Sequence, residues 1–138
     1  VMNLVTYMRI RDSLNESTST FKAELDRLEM ILRVVSTIKN TFFLVDEMLR
    51  GTNSVDKYLG SKAVIEKLIK DGGVGIVATH DLQLAKLEEE HRSYLKNYHF
   101  DIQVIAGEML FDYQLKEGPC TIFNASMLLK KIGIDISI

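Results

Sequence analysis

The sequence predicts an α/β protein, a mostly parallel β-sheet flanked by helices and finished by a β-hairpin and a short helix. Three observations carry that expectation. The stretches TFFLVD (41–46) and VGIVAT (74–79) are short and almost continuously apolar, the pattern of strands covered on both faces of a parallel sheet. Each follows a stretch whose apolar residues recur at every third or fourth position, the period of a helix. Two further strand-like runs near the C terminus lie close enough together to pair as a hairpin.

Residues 3–10, NLVTYMRI, rich in β-branched and aromatic side chains, read as the first strand. RDSLNESTST (11–20) is a polar loop. From there Phe21, Leu25, Leu28, Ile31, Leu32, Val35 and Ile38 define an amphipathic helix, with Ser17 to Thr20 as candidate N-caps. Those hydroxyls then lie beside free backbone N–H groups at the positive end of a helix dipole. Lys39-Asn40 interrupts the pattern, and 41–46 form the second strand.

Residues 54–70, SVDKYLGSKAVIEKLIK, give a second helix through Val55, Leu59, Ile65, Leu68 and Ile69, closed by Asp71-Gly72-Gly73. The buried strand 74–79 ends at His80-Asp81, and a helix charged on its outer side is expected from about Leu82 to Leu95. FDIQVIA and MLFDYQL, separated by Gly107-Glu108, form the antiparallel hairpin. NASMLLKKIGI adds a last helix from about Asn124 to Lys131. No repeat, linker or low-complexity tract interrupts the series.

At 138 residues the chain is one domain's worth, able to bury roughly two-thirds of its unfolded surface. Hydrophobic residues at 46% and charged residues at 26% are ordinary for a globular protein, and the net charge of −2 lacks the basic footprint of a module that grips nucleic acid by itself. Cys120 is the single cysteine, so no internal disulfide forms, as expected in a reducing cytosol. His80, His91 and His99 have no zinc-ligand spacing with it, and no run approaches the length that spans a bilayer. No signal peptide is readable. The start, Val-Met-Asn-Leu-Val, already reads as strand and suggests a piece whose upstream part is missing.

In an open α/β sheet, ligands bind outside the carboxyl ends of the parallel strands. Two strands end there in polar residues, Asp46-Glu47 and His80, so these three side chains are expected to converge in one crevice. A first acid after an apolar strand suits Mg²⁺, which keeps its waters and takes one or two carboxylates with phosphate oxygens. The second acid can orient or deprotonate a water, and the histidine can donate to the same phosphate. Taken singly each has a plainer reading. Asp46 caps the next turn, His80 ends a strand, the hydroxyls at 17–20 cap a helix, and Arg50 is a surface residue.

Taken in order, DSLNESTSTF, FFLVDEMLRGTNSVD, VGIVATHD and FDYQLKEG resemble the C-terminal ATPase domain of the MutS DNA mismatch-repair family. The resemblance spans nearly the whole chain and implies an ABC-type P-loop NTPase fold, present here in part. It matches a signature loop ending in Ser-Thr-Phe, a Walker B strand with Asp-Glu, an Arg-Gly-Thr loop with a nearby Asp, and an Ala-Thr-His after the next strand. By resemblance, Asp46 holds Mg²⁺ through water, Glu47 positions the hydrolytic water and His80 contacts the γ-phosphate of ATP. Ser19 would reach the γ-phosphate of a nucleotide bound by a partner subunit, its helix N-terminus adding positive potential. Gly51, Thr52, Asn53 and Asp56 would form the loop through which the two sites of a homodimer sense each other.

Three features depart from the family pattern. Asn15-Glu16-Ser17 stands where small residues and a glycine are usual, which puts a negative charge near a phosphate. His80 is followed by Asp-Leu-Gln-Leu, pointing to a divergent MutS-like branch. No Gly-x-x-x-x-Gly-Lys-Ser/Thr phosphate loop occurs. The chain therefore reads as the hydrolytic and communication half of an ATPase, nearly inactive alone. In the intact protein it would couple Mg-assisted ATP hydrolysis at a dimer interface to DNA clamping by upstream domains. The expected setting is the cytoplasm, associated with the nucleoid through DNA and without membrane. The alternatives are an ABC-type ATPase of chromosome maintenance or recombination, and a non-catalytic dimerisation module.

Overall fold

The computed structural model of the chain describes residues 1–8, 17–121 and 125–136. The elements run β1 (Asn3–Tyr7), α1 (Ser17–Thr37), β2 (Thr41–Asp46), α2 (Ser54–Lys70), β3 (Val74–Ala78), a 3₁₀ turn (Leu84–Lys86), α3 (Leu87–Glu90), β4 (Tyr98–Ile105), β5 (Glu108–Glu117) and α4 (Ala125–Lys131). They form two compact units, 1–90 and 91–138. No described helix is long and apolar enough to cross a membrane.

The first unit is a parallel three-stranded sheet in the order β1-β2-β3, the α/β architecture expected. Strand β2 lies in the centre, with Tyr7 beside Val45 and Ala78 beside Asp46 in register. Helix α1 packs on β1 and β2. Its apolar stripe supplies Leu28, Ile31 and Val35 to a core that also takes Tyr7, Phe43, Val45, Leu68 and Leu87. At roughly 25 cal/mol per Å² of apolar surface, burial of such side chains is the main force holding the unit together.

The expectation that the apolar strands are buried on both faces fails. Along β2, buried Thr41, Phe43 and Val45 alternate with half-buried Phe42, Leu44 and Asp46. Parallel register sets Leu4, Phe42 and Val74 in one row of the second face, and Thr6, Leu44 and Ile76 in the next. Val74 and Ile76 keep 64% and 59% of their surface exposed, so β3 is an edge strand with one apolar face bare. On the covered face Gly75 lies beside Phe43, where a Cβ would come within 2.2 Å of the Phe43 carbonyl oxygen.

Other boundaries also move. Helix α1 is described from Ser17 onward, so residues 17–20 lie within it. Residues 9–16, including the end of the expected first strand and Glu16, lie outside the described residues. In α2 the buried residues are Ser61, Ile65 and Leu68, whereas Val55 and Leu59 are exposed. The helix expected over 82–95 reduces to the 3₁₀ turn and the four-residue α3, because only Leu84 and Leu87 reach the core.

The second unit is built on the antiparallel β4–β5 hairpin, with Ile105 opposite Glu108 and a register shift between Phe100 and Ile102. Ala106 and Gly107 form its two-residue turn with φ of 52° and 80°, one residue earlier than the sequence suggests. Two positive φ values match the twist of the strands they join. On the hairpin, Lys116 Nζ bridges Asp101 at 2.8 Å and Asp112 at 2.9 Å. His99 Nδ1 donates to the Gly118 carbonyl at 2.8 Å. Helix α4 agrees with the expected last helix, although Asn124 lies outside the described residues.

Candidate functional site

The site is built where β2 leaves the sheet. Glu47 N–H donates to the Ala78 carbonyl at 2.9 Å, carrying the ladder one residue past Asp46. Glu47 and Leu49 then adopt φ of 49° and 59°. Left-handed backbone at non-glycine residues costs on the order of 1–3 kcal/mol and persists only where the surroundings enforce it. Here they do. Met48 and Leu49 are buried, and Leu49 N–H donates to the Tyr7 hydroxyl at 3.4 Å. Burial is the chief reason the Tyr7 phenol is pushed up to about 12.

The next residues are pinned from α1. The buried Glu24 carboxylate accepts from Arg50 N–H at 3.0 Å and from Gly51 N–H at 3.1 Å. A Cβ on Gly51 would stand 3.0 Å from Phe21 Cβ and 3.1 Å from Glu24 Oε2, so the close approach of loop and helix calls for glycine. Helix α2 then starts with Asn53 as N-cap. Its side-chain oxygen accepts from Asp56 N–H at 2.9 Å while its amide donates to Asp56 Oδ2 at 2.8 Å.

Glu47 is 5% exposed and almost fully partnered. Its Oε1 accepts from the Thr79 hydroxyl at 3.0 Å and from His80 N–H. Its Oε2 pairs with Lys57 Nζ at 3.0 Å. A carboxylate offers about four acceptor sites. With three principal donors in place, Oε2 retains capacity for one more. Burial, the largest influence, pushes the carboxyl upward, but the His80 amide, Lys57 and Thr79 together outweigh it and hold Glu47 below the usual carboxylate range. The group is therefore ionised at neutral pH and is an acceptor only.

Glu47 opens onto a cleft of about 450 Å³ whose wall includes Ser54, Lys57, Tyr58, His80, Asp81 and Gln83. Two of the three residues expected to converge thus share one cavity, Glu47 and His80. It is the His80 backbone that touches Glu47, and His80 is an exposed residue of the cleft wall. Asp46 stands apart. It closes β2 in the half-buried row and is not part of the cleft wall. Asn53 and Asp56 partner each other at the α2 cap, and Ser19 lies in the first turn of α1.

Four contributors escaped the sequence reading: Glu24, Tyr7, Lys57 and Thr79. Glu24 carries a legible signal, since it sits three residues after Phe21 and four before Leu28, an acid inside an apolar stripe. Lys57 carries another, a cation in the first turn of a helix, where the dipole disfavours it. Thr79 and Tyr7 carry none, because their partners are far away in sequence.

The family model described as MutS domain V matches residues 1–130. The chain belongs to the MutS domain V family. This MutS domain V is 40% identical over 110 residues to the DNA mismatch repair protein MutS of Methanosarcina mazei, covering 78% of this chain and 12% of that protein. It is 33% identical over 116 residues to the DNA mismatch repair protein MSH3 of Phaeosphaeria nodorum, covering 82% and 10%. With MutS of Thermus aquaticus it shares 33% identity over 133 residues, covering 95% and 15%. The chain spans about a tenth to a seventh of the length of these relatives.

Proposed function

We propose that this MutS domain V is the hydrolytic half of an Mg-dependent ATPase, working in a longer DNA mismatch-repair protein. The observation that carries this reading is the Glu47 carboxylate, buried, ionised and held by three donors beside a cleft that also presents His80. A buried anion is costly unless its partners repay the lost hydration, so such an arrangement marks a place where charge is used.

The chemistry follows from what each group can do. Glu47 Oε2 accepts a hydrogen bond from a water in the cleft and aligns its lone pair for in-line attack on a terminal phosphate. Its depressed pKa makes orientation its main contribution, with proton acceptance following as charge leaves the water. The His80 imidazole donates to a phosphate oxygen. The N-terminus of α2, whose first residues Ser54 and Val55 line the cleft, adds positive potential.

Asp46 makes no side-chain hydrogen bond or ion pair with the described residues, and a half-buried carboxylate left open in this way fits a hard cation that keeps its water shell. Mg²⁺, when bound, supplies charge neutralisation at the phosphates. The chain has no phosphate-gripping Gly-x-x-x-x-Gly-Lys-Ser/Thr, so on this reading the phosphate cradle comes from other parts of the longer protein. Ser19 in α1, and the loop of Gly51 to Asp56, are then the groups offered to a second copy across a dimer interface. DNA is held by domains outside this chain, which fits a net charge of −2.

The test is Glu47→Gln in the intact protein. Turnover of ATP should fall by about a hundredfold or more while nucleotide binding persists, since only the acceptor that acts in the transition state is lost. Unchanged turnover would remove the role.

A further inference from the structure

The proposed role of Glu47 leaves one partner unexplained, and the following rests on that role. Lys57 lies in the first turn of α2, four residues after the Asn53 cap. A cation there faces the positive end of the helix dipole and is disfavoured without a counter-charge. Its ammonium sits 3.0 Å from Glu47 Oε2, with 27% of the Lys57 side chain and 6% of the Glu47 side chain exposed. The pair is largely withdrawn from solvent, unlike the fully exposed bridges that contribute little. It also sits on the cleft wall, against the carboxylate oxygen that retains acceptor capacity.

We propose that Lys57 is the positioning residue of Glu47, fixing the carboxylate in one orientation so that its remaining acceptor site faces the cleft. The division of labour follows from the donors. Thr79 and the His80 amide occupy Oε1, and their directions are set by the backbone after β3. Among the described residues, Oε2 has only Lys57 and a weak second contact from Thr79 at 3.4 Å to restrain it. Without the ammonium, the carboxylate keeps its burial but loses its counter-charge. The charged and titratable groups on the cleft wall with it are Lys57 and Tyr58 from α2 and His80 and Asp81 after β3, and Asp46 precedes it at the end of β2. Lys57 is the cation paired with it among the described residues.

The experiment compares Lys57→Met and Lys57→Arg with the wild-type intact protein in ATP hydrolysis, with the single-turnover rate and the nucleotide KM read separately. Lys57→Met should lose about tenfold in the hydrolysis rate at a fixed pH near neutrality, as expected when the carboxylate that orients the water is no longer held in one geometry. Lys57→Arg should restore most of it. Nucleotide KM should stay within about twofold, because Lys57 acts through Glu47 and not on the nucleotide. In a Glu47→Gln background, Lys57→Met should have no further effect. A wild-type hydrolysis rate in Lys57→Met, a rise in KM that accounts for its loss, or full additivity with Glu47→Gln would each overturn the proposal. If Glu47→Gln itself leaves turnover intact, the hydrolytic role falls and this inference with it. If Glu47→Gln abolishes turnover while Lys57→Met behaves as wild type, the role of Lys57 alone falls.

Discussion

Glu47 and Asp101 are both carboxylates bridged by a lysine, at 3.0 Å in the first unit and 2.8 Å in the second, and both lie below the usual carboxylate range. Their surroundings differ. Burial works against Glu47 and is outweighed by a backbone amide, a lysine and a hydroxyl, whereas Asp101 owes its shift first to Lys116 on the surface of a hairpin. Glu47 opens onto a cleft, and Asp101 joins a local network of Lys116, Asp112 and His99. A depressed pKa thus identifies an ion pair and no more. Burial as the leading influence, outweighed by several partners, together with a cavity, is what separates a candidate site from a hairpin clasp.

The comparison breaks most readily on activity. Glu47→Gln should cost about a hundredfold or more in ATP turnover of the intact protein, whereas Asp101→Asn should leave turnover within about twofold. An Asp101 effect of similar size would place the chemistry, or its control, in the second unit.

The next largest effect concerns the scaffold. Gly75→Ala drives a Cβ into the Phe43 carbonyl and ring, and the β2–β3 pairing must shift. Urea unfolding should report a loss of about 3 kcal/mol, the upper part of the range for overpacking. Glu24→Ala leaves the Arg50 and Gly51 amides without their acceptor. It should cost about 2 kcal/mol and loosen the loop that follows Glu47.

How much of this was legible in the sequence follows from which forces act locally. The strand 41–46 and the helix 54–70 were readable to the residue, because a continuous apolar run and a 3.6-residue period are local signals. The expected helix over 82–95 was not formed, since helical charge patterning without enough buried apolar residues gives no packing to hold it. The burial expected of β3 failed because it assumed neighbours on both faces. Of the site, Glu47 and His80 came together as expected, being the tips of adjacent parallel strands. Asp46 does not line that cleft, since it closes β2 and the backbone turns left-handed at Glu47 immediately after it. The buried Glu24 clamp needed contacts 26 and 27 residues distant in sequence, which no local pattern specifies.

Acid titration sharpens the contrast further. The folded-state pKa of Glu47 is depressed, so its contribution to stability is complete above the unfolded value of about 4.3 and is lost as pH falls through the lower folded value. Glu47→Gln should flatten that part of the acid-unfolding curve at any salt concentration. Asp101 and Asp112 contribute with the same sign, but they are half-buried residues on a hairpin, so added salt should weaken their contribution more than that of Glu47. The smallest effect is expected from Lys116→Met, a slight and salt-sensitive loss of stability with turnover unchanged.

The most direct measurement is a crystal structure of the intact protein with Mg²⁺ and a non-hydrolysable ATP analogue. The terminal phosphate should lie at the cleft beside His80, with a water held between it and Glu47 Oε2 while Lys57 stays on that same oxygen. A terminal phosphate bound elsewhere, with no water-filled path from it to Glu47, would contradict the assignment.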